Sequence, residues 1–146
     1  MLIATGVVTL LLRPDSGSGA TPPAPVSHVD TAVRACLLTS TDTDTTGTWA
    51  TMQELAGTST SKVVVQRYRL PAGVDPVAYV NTLVQLRCST VVTTGAAARS
   101  AIASRLAAGL VPHVRFVVVA DGPVSGATRL SPDAVSTSSL ARAVRR

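Results

Sequence analysis

Arg34-Ala35-Cys36-Leu37-Leu38-Thr39-Ser40, followed by Thr41-Asp42-Thr43-Asp44-Thr45-Thr46-Gly47, decides how this chain folds. A short apolar run breaks off into hydroxyls and carboxylates, and a helical segment opened by Thr48 and Trp49 follows. A parallel strand covered on both faces reads as just such a run, and its carboxyl end carries the chain to the edge of an α/β sheet where ligands bind.

The same rhythm extends outward from this stretch. Residues 31–39 read as the first strand and residues 47–56 as its helix, with Trp49, Met52 and Leu55 on one face and Gly57 as the stop. Residues 62–68 are β-branched and read as the second strand. Asp75 followed by Pro76 is an N-cap with proline in the first turn, opening a helix to about Arg87 that turns Val77, Val80, Leu83 and Val84 inward. Residues 90–94 form the third strand, turned by Gly95, and residues 96–108 the third helix, stopped by Gly109. Residues 114–120 form the fourth strand and run into Asp121-Gly122-Pro123. A short fifth strand over 127–130 and a last helix over 137–145 complete the chain. Alternating strands and helices with right-handed crossovers predict an α/β fold: a three-layer α/β/α sandwich on a parallel sheet of order 2-1-3-4-5.

Composition narrows the function. Hydrophobic residues make up 46% of the chain and aromatics only 3%, so the core is aliphatic. Charged residues reach 14%, below the roughly 25% of an average domain, and Thr, Ser and Gly must cover the surface. The net charge of +5 invites a nucleic-acid reading. The arginines are scattered along the sequence, however, and only Arg142, Arg145 and Arg146 cluster, with no aromatic interleaved for base stacking. Those three read as cations at a helix end, where the dipole favours them, and nucleic acid is not an expected partner. Arginine in place of lysine, with heavy use of Ala, Val, Thr and Gly, reads as the coding bias of a high-GC bacterium.

Residues 1–13 form a hydrophobic signal or anchor segment and residues 14–29 a Pro/Gly/Ser tether; residues 30–146 hold the folded domain. The run 2–12 falls short of the roughly 20 apolar residues a spanning helix needs. Its length suits a signal-peptide core, and Ser18-Gly19-Ala20 offers small residues for cleavage. The absence of a basic residue before it points to a longer membrane segment upstream. No cysteine follows it before Cys36, which speaks against a lipid-modified terminus in this form. The expected location is extracytoplasmic, membrane-anchored or secreted, in a bacterial cell envelope. With strand ends level, Cys88 would sit about three residues below Cys36 at about 3.3 Å each, so the two cysteines are expected as free, buried thiols.

The carboxyl edge carries the candidate ligand-binding residues Thr41, Asp42, Asp44, Trp49, Thr94, Gly95 and Asp121. Asp42 and Asp44 serve equally well as ligand contacts or as turn and N-cap residues. Trp49 reads as a stacking platform or as a helix-to-sheet anchor. Asp121, closing an apolar strand at this edge, is the strongest of the set. The motifs of nucleotide and hydrolase chemistry are missing: no GxGxxG, no P-loop, no GxSxG elbow and no Cys/His spacing for a metal. His28 and His113 lie away from the edge. No cofactor, metal or catalytic activity is expected.

The run Cys36-Leu37-Leu38-Thr39 with its Asp/Thr/Gly loop and Trp49 resembles the first βα unit of the basic membrane protein family, type I periplasmic solute-binding proteins of ABC importers. Residues 80–95 are similar to that family's second helix and third strand, and residues 114–121 to its fourth strand with the terminal aspartate. The likeness spans one lobe, from Val33 to Asp121. It carries over Asp42 and Asp121 as ligand contacts. The family's Ser-Phe-Asn after the first acid is absent, and with it the aromatic stacker. The resemblance implies an extracytoplasmic, membrane-tethered, solute-binding-protein-like domain, non-catalytic and used for sensing or protein interaction. The alternative it implies is the substrate-binding component of an ABC importer, truncated or dimeric, with a nucleoside-like ligand and a membrane permease or regulatory protein as partner.

Overall fold

The computed structural model describes residues 32–41 and 43–145; the signal or anchor segment, the tether and Asp42 lie outside them. The sheet has five parallel strands in the order β2-β1-β3-β4-β5. In chain order these are β1 (Val33–Thr39), α1 (Thr46–Thr58), β2 (Val63–Arg69), α2 (Pro76–Gln85), β3 (Thr90–Thr94), α3 (Ala96–Ala107), β4 (Arg115–Val119), β5 (Thr128–Leu130) and α4 (Thr137–Arg145). A single turn of 3-10 helix, Pro132–Ala134, precedes α4. The expected α/β sandwich and strand order are the observed ones.

Alternation along the strands divides the core into two layers. Cys36 and Leu38 of β1, Val91 of β3, and Phe116 and Val118 of β4 face α2 and α3, meeting Val80, Leu83, Ala98, Ala101 and Ile102. Ala35 and Leu37, Val92 and Val117 face the other way onto Met52 and Leu55 of α1 and Leu140 and Val144 of α4. Strands between two helical layers have no solvent-facing side, which is why β1 and β4 are largely apolar and why even the threonines of β3 are buried. Small alanines on α3 let that helix approach the sheet closely.

The helix ends follow local chemistry. Asp75 Oδ1 accepts from the backbone N–H groups of Val77 (2.9 Å) and Ala78 (3.4 Å), with Pro76 in the first turn, as expected. Ser136 and Ser139 cap α4 reciprocally, each hydroxyl accepting from the other's backbone N–H. Gly109, at φ 135°, follows the end of α3. Gly57 does not stop α1: it stays inside the helix, which runs to Thr58 and ends only where Ser59 turns extended. Helix α2 stops at Gln85, short of the expected Arg87, because Arg87 takes a left-handed φ of 61°.

That left-handed residue overturns the expectation for the cysteines. Cys36 and Cys88 form a disulfide, with Cα atoms 5.8 Å apart. Val91 is the residue opposite Cys36, so Cys88 is indeed three positions earlier in sequence. It does not continue the line of β3, however. The turn at Arg87 folds the chain back beneath α2, where the Cys88 N–H bonds Leu83 O at 3.2 Å, and this lays Cys88 over the face towards which Cys36 points. Both residues are fully buried.

The hydroxyls of Thr90, Thr93 and Thr94 on the central strand β3 are buried without a hydrogen-bond partner. Thr93 lies between Leu38 and Val118 in the register and has an aliphatic environment.

Two outcomes follow from this core. A bond closing a separation of 52 residues restricts the unfolded chain, so the double variant Cys36→Ala/Cys88→Ala is expected to lose about 4 kcal/mol in urea denaturation. Thr93→Val, which removes an unsatisfied hydroxyl at nearly constant shape, is expected to raise stability by about 1 kcal/mol; a loss of stability would show that the hydroxyl is bonded.

Candidate functional site

In a sheet of this order the chain reverses its winding between β1 and β3, and the crevice at the carboxyl ends of those two strands is the natural ligand position. The two loops that meet there are locked together. Ser40, at the end of β1, accepts a 3.0 Å hydrogen bond through Oγ from the Ala98 N–H in the first turn of α3. It thereby caps a helix whose own N-cap residue, Gly95, has no side chain. Gly95 holds φ at 90°, which glycine adopts at little cost. A Cβ at that position would strike Thr43 Oγ1 and lie 2.8 Å from Ser40 Cβ. The glycine is required both by its backbone angle and by the closeness of the β1–α1 loop.

The expected site residues separate into groups. Gly95 and Asp121 come together with Arg99 and Pro132 around an open depression of about 270 Å³. Arg99, one turn beyond Gly95, was not among the expected residues; its signal in the sequence is only that spacing from the glycine. Thr41 is exposed and donates through its hydroxyl to Leu70 O at 3.3 Å, tying the β1–α1 loop to the end of β2. Asp44 is committed to the start of α1, where Oδ1 accepts from the Thr46 N–H at 3.0 Å. This backbone hydrogen bond, with a further one from the Thr46 hydroxyl, holds the Asp44 carboxyl below its ordinary value. Thr94 is buried at the end of β3, in register with Thr39 and Val119. Trp49 is half-buried against the α1–α4 layer, with the Arg67 guanidinium of β2 5.4 Å from its ring centre. Asp42 lies outside the described residues.

Most polar side chains of this edge are therefore spent on the fold: Ser40 on α3, Asp44 on α1, Asp75 on α2 and Thr41 on the β2 end. The Asp121 carboxylate and the Arg99 guanidinium line the depression that remains. Arg129 reinforces the Asp121 turn by donating to the Asp121 backbone carbonyl at 2.7 Å. An acceptor and a donor beside the first turn of a helix can hold a small polar molecule on one side. Among the described residues, no His, Cys, Asp and Glu group together as a metal site.

Removing the Ser40 cap by Ser40→Ala is expected to cost about 1 kcal/mol in denaturant unfolding, and Gly95→Ala to cost more because the new methyl has nowhere to go. The depressed Asp44 carboxyl contributes stability that is complete above its ordinary range and is lost as pH falls through its lowered folded value. Asp44→Asn is expected to flatten that part of the acid limb in a pH series of thermal melts; an unchanged limb would contradict the assignment.

No protein-family model matches the chain, and no curated protein matches it. The likeness to the basic membrane protein family therefore stays a resemblance of motifs. Among solved structures the chain is similar to one described as a "putative lipoprotein from Peptoclostridium difficile 630 (fragment)", with a TM-score of 0.58 at 10% identity, covering 75% of this chain and 93% of that one. At that identity the likeness speaks for the fold, a parallel five-stranded α/β domain.

Proposed function

We propose that this protein is an extracytoplasmic, membrane-tethered domain related in form to one lobe of a solute-binding protein, with a non-catalytic role in sensing or protein interaction. The observation that carries the reading is the buried Cys36–Cys88 disulfide. Structural disulfides form and persist in oxidising compartments and are rare in the cytosol. An apolar run at residues 2–12 and a Pro/Gly/Ser stretch ahead of the domain are the sequence of an exported or anchored head. The structural neighbour described as a lipoprotein fragment is in keeping with that placement. The non-catalytic role rests on the site chemistry: the edge polar groups cap helices, and the pair left over, Asp121 and Arg99, is suited to holding a molecule rather than to transferring a proton or acyl group.

A second reading, the nucleoside-binding component of an importer, is favoured by one feature: the depression beside Gly95, Arg99 and Asp121 opens on the carboxyl edge of the sheet, at the ends of β3 and β4. One lobe leaves much of a small ligand in water, which weakens such a pocket. A thermal-shift series of the protein against nucleosides, nucleobases and small sugars separates the two. Ligand at about a hundredfold over its Kd stabilises by about 2.7 kcal/mol, a shift of several degrees. The proposed role predicts a flat response; a shift with purine nucleosides that Asp121→Ala abolishes would establish the importer reading instead. Protease added to intact cells is expected to digest the folded head, and full protection would contradict the extracytoplasmic placement.

A further inference from the structure

The fold sorts charges that are scattered in the sequence. Residues just before each strand and at the end of each helix all fall on one edge of a parallel α/β sandwich, the edge opposite the candidate site. Lys62 before β2, Arg87 and His113 in the turns before β3 and β4, Arg115 at the start of β4, and Arg142 and Arg145 in the last turn of α4 are all exposed there. The carboxylates of the described residues lie elsewhere. Asp44, Asp75, Asp121 and Asp133 belong to the opposite edge and Glu54 to the middle of α1, so among the described residues the N-terminal edge holds no Asp or Glu.

Part of this basic edge serves the fold. Helix C-termini carry partial negative charge, and Arg34 donates to Leu86 O, Arg105 to Gly109 O, and Arg115 to Ala143 O and Val144 O. That role does not account for two apolar side chains on the same edge. Leu110, in the loop between α3 and β4, is 88% exposed, and Leu86 at the end of α2 is 40% exposed. The Leu110 loop is shaped by two left-handed residues, Gly109 (φ 135°) and His113 (φ 65°), with Val111 packed on the core and Leu110 turned away from it. Projecting leucine among arginines is the composition of a surface that meets the interface of an anionic bilayer, where apolar side chains enter the headgroup boundary and cations pair with lipid phosphates. The chain also enters the domain on this edge, at Val33, and the apolar run precedes that point in sequence.

We infer that the N-terminal edge docks on the anionic phospholipid surface of the membrane that holds the chain, with Leu110 entering the interface and Arg87, Arg142 and Arg145 over the phosphates. This rests on the tethered reading above. The docked head presents the opposite edge, with Gly95, Arg99 and Asp121, away from the bilayer and free for a ligand or partner.

The test uses the full chain reconstituted with vesicles of brominated phosphatidylcholine, with and without about one-third phosphatidylglycerol. Flotation reports anchoring. Quenching of a tryptophan placed by Leu110→Trp, taken as the difference from the parent with Trp49 alone, reports docking. The expected result is flotation with both vesicles but quenching of the new tryptophan only with phosphatidylglycerol. Raised salt should reduce that quenching, and the pair Arg87→Asn/Arg142→Gln should weaken it by about tenfold or more, each surface cation contributing about fivefold. Flotation without quenching would overturn docking and leave the tethered reading standing. Salt-insensitive quenching with both vesicles would overturn the role of the arginines. Failure to float with either would overturn both readings. Retention on DNA without quenching would assign the edge to another polyanion and overturn the proposal.

Discussion

The bond between Cys36 and Cys88 joins β1 to the turn that delivers its neighbour β3, and the rest of the architecture is arranged around that junction. β1 pairs with β2 on one side and β3 on the other, so its position fixes three of the five strands. The disulfide holds the α2–β3 turn against the face of β1, and Arg34 fastens the same turn from below by donating to Leu86 O at 2.8 Å. Ser89 completes the attachment, its N–H and hydroxyl both donating to Arg34 O. At the other end of β1, Ser40 and Gly95 hold the first and third loops in contact. The strand is pinned at both ends, which fixes the β3–α3 turn that forms one wall of the depression beside Arg99 and Asp121.

The proposed non-catalytic role rests on how the carboxyl edge spends its polar groups. Helix N-termini at the carboxyl edge need acceptors, and this protein supplies them from short side chains of the loops. The same choice removes those groups from chemistry. What is left exposed is a small depression with one carboxylate and one guanidinium. The opposite edge shows the complementary arrangement, with helix C-termini, cations and a protruding leucine. The protein is thus polar in the literal sense, with a basic end by the incoming chain and a mixed, ligand-accessible end away from it.

The strands were legible because the constraint is simple: a strand covered on both faces buries short apolar runs such as Val91-Val92 and Phe116-Val117-Val118, and their alternation with helices implies the sheet order. Asp75-Pro76 and Gly109 marked helix ends correctly because each acts through its own backbone geometry. Gly57 misled for the same reason in reverse: a glycine ends a helix only when it takes a left-handed angle, and composition alone does not reveal whether it will. The disulfide was hidden by the assumption that residues before a strand continue its line, when Arg87 turns the chain across the sheet instead. At the site, Gly95 and Asp121 line the same depression, Asp44 bonds the start of α1, and Trp49 is a half-buried neighbour of Arg67. The basic edge could not be read from spacing, because its members come from six separate stretches and meet only when every strand start lies on one side.

Mass-spectrometric mapping of protein isolated from the cell envelope, with thiols alkylated at lysis and no reductant, tests the Cys36–Cys88 junction and the compartment it implies. A single cross-linked peptide pair joining Cys36 to Cys88 is expected, with negligible alkylation at either residue. Full alkylation of both cysteines, in protein recovered from the cytosolic fraction, would contradict it.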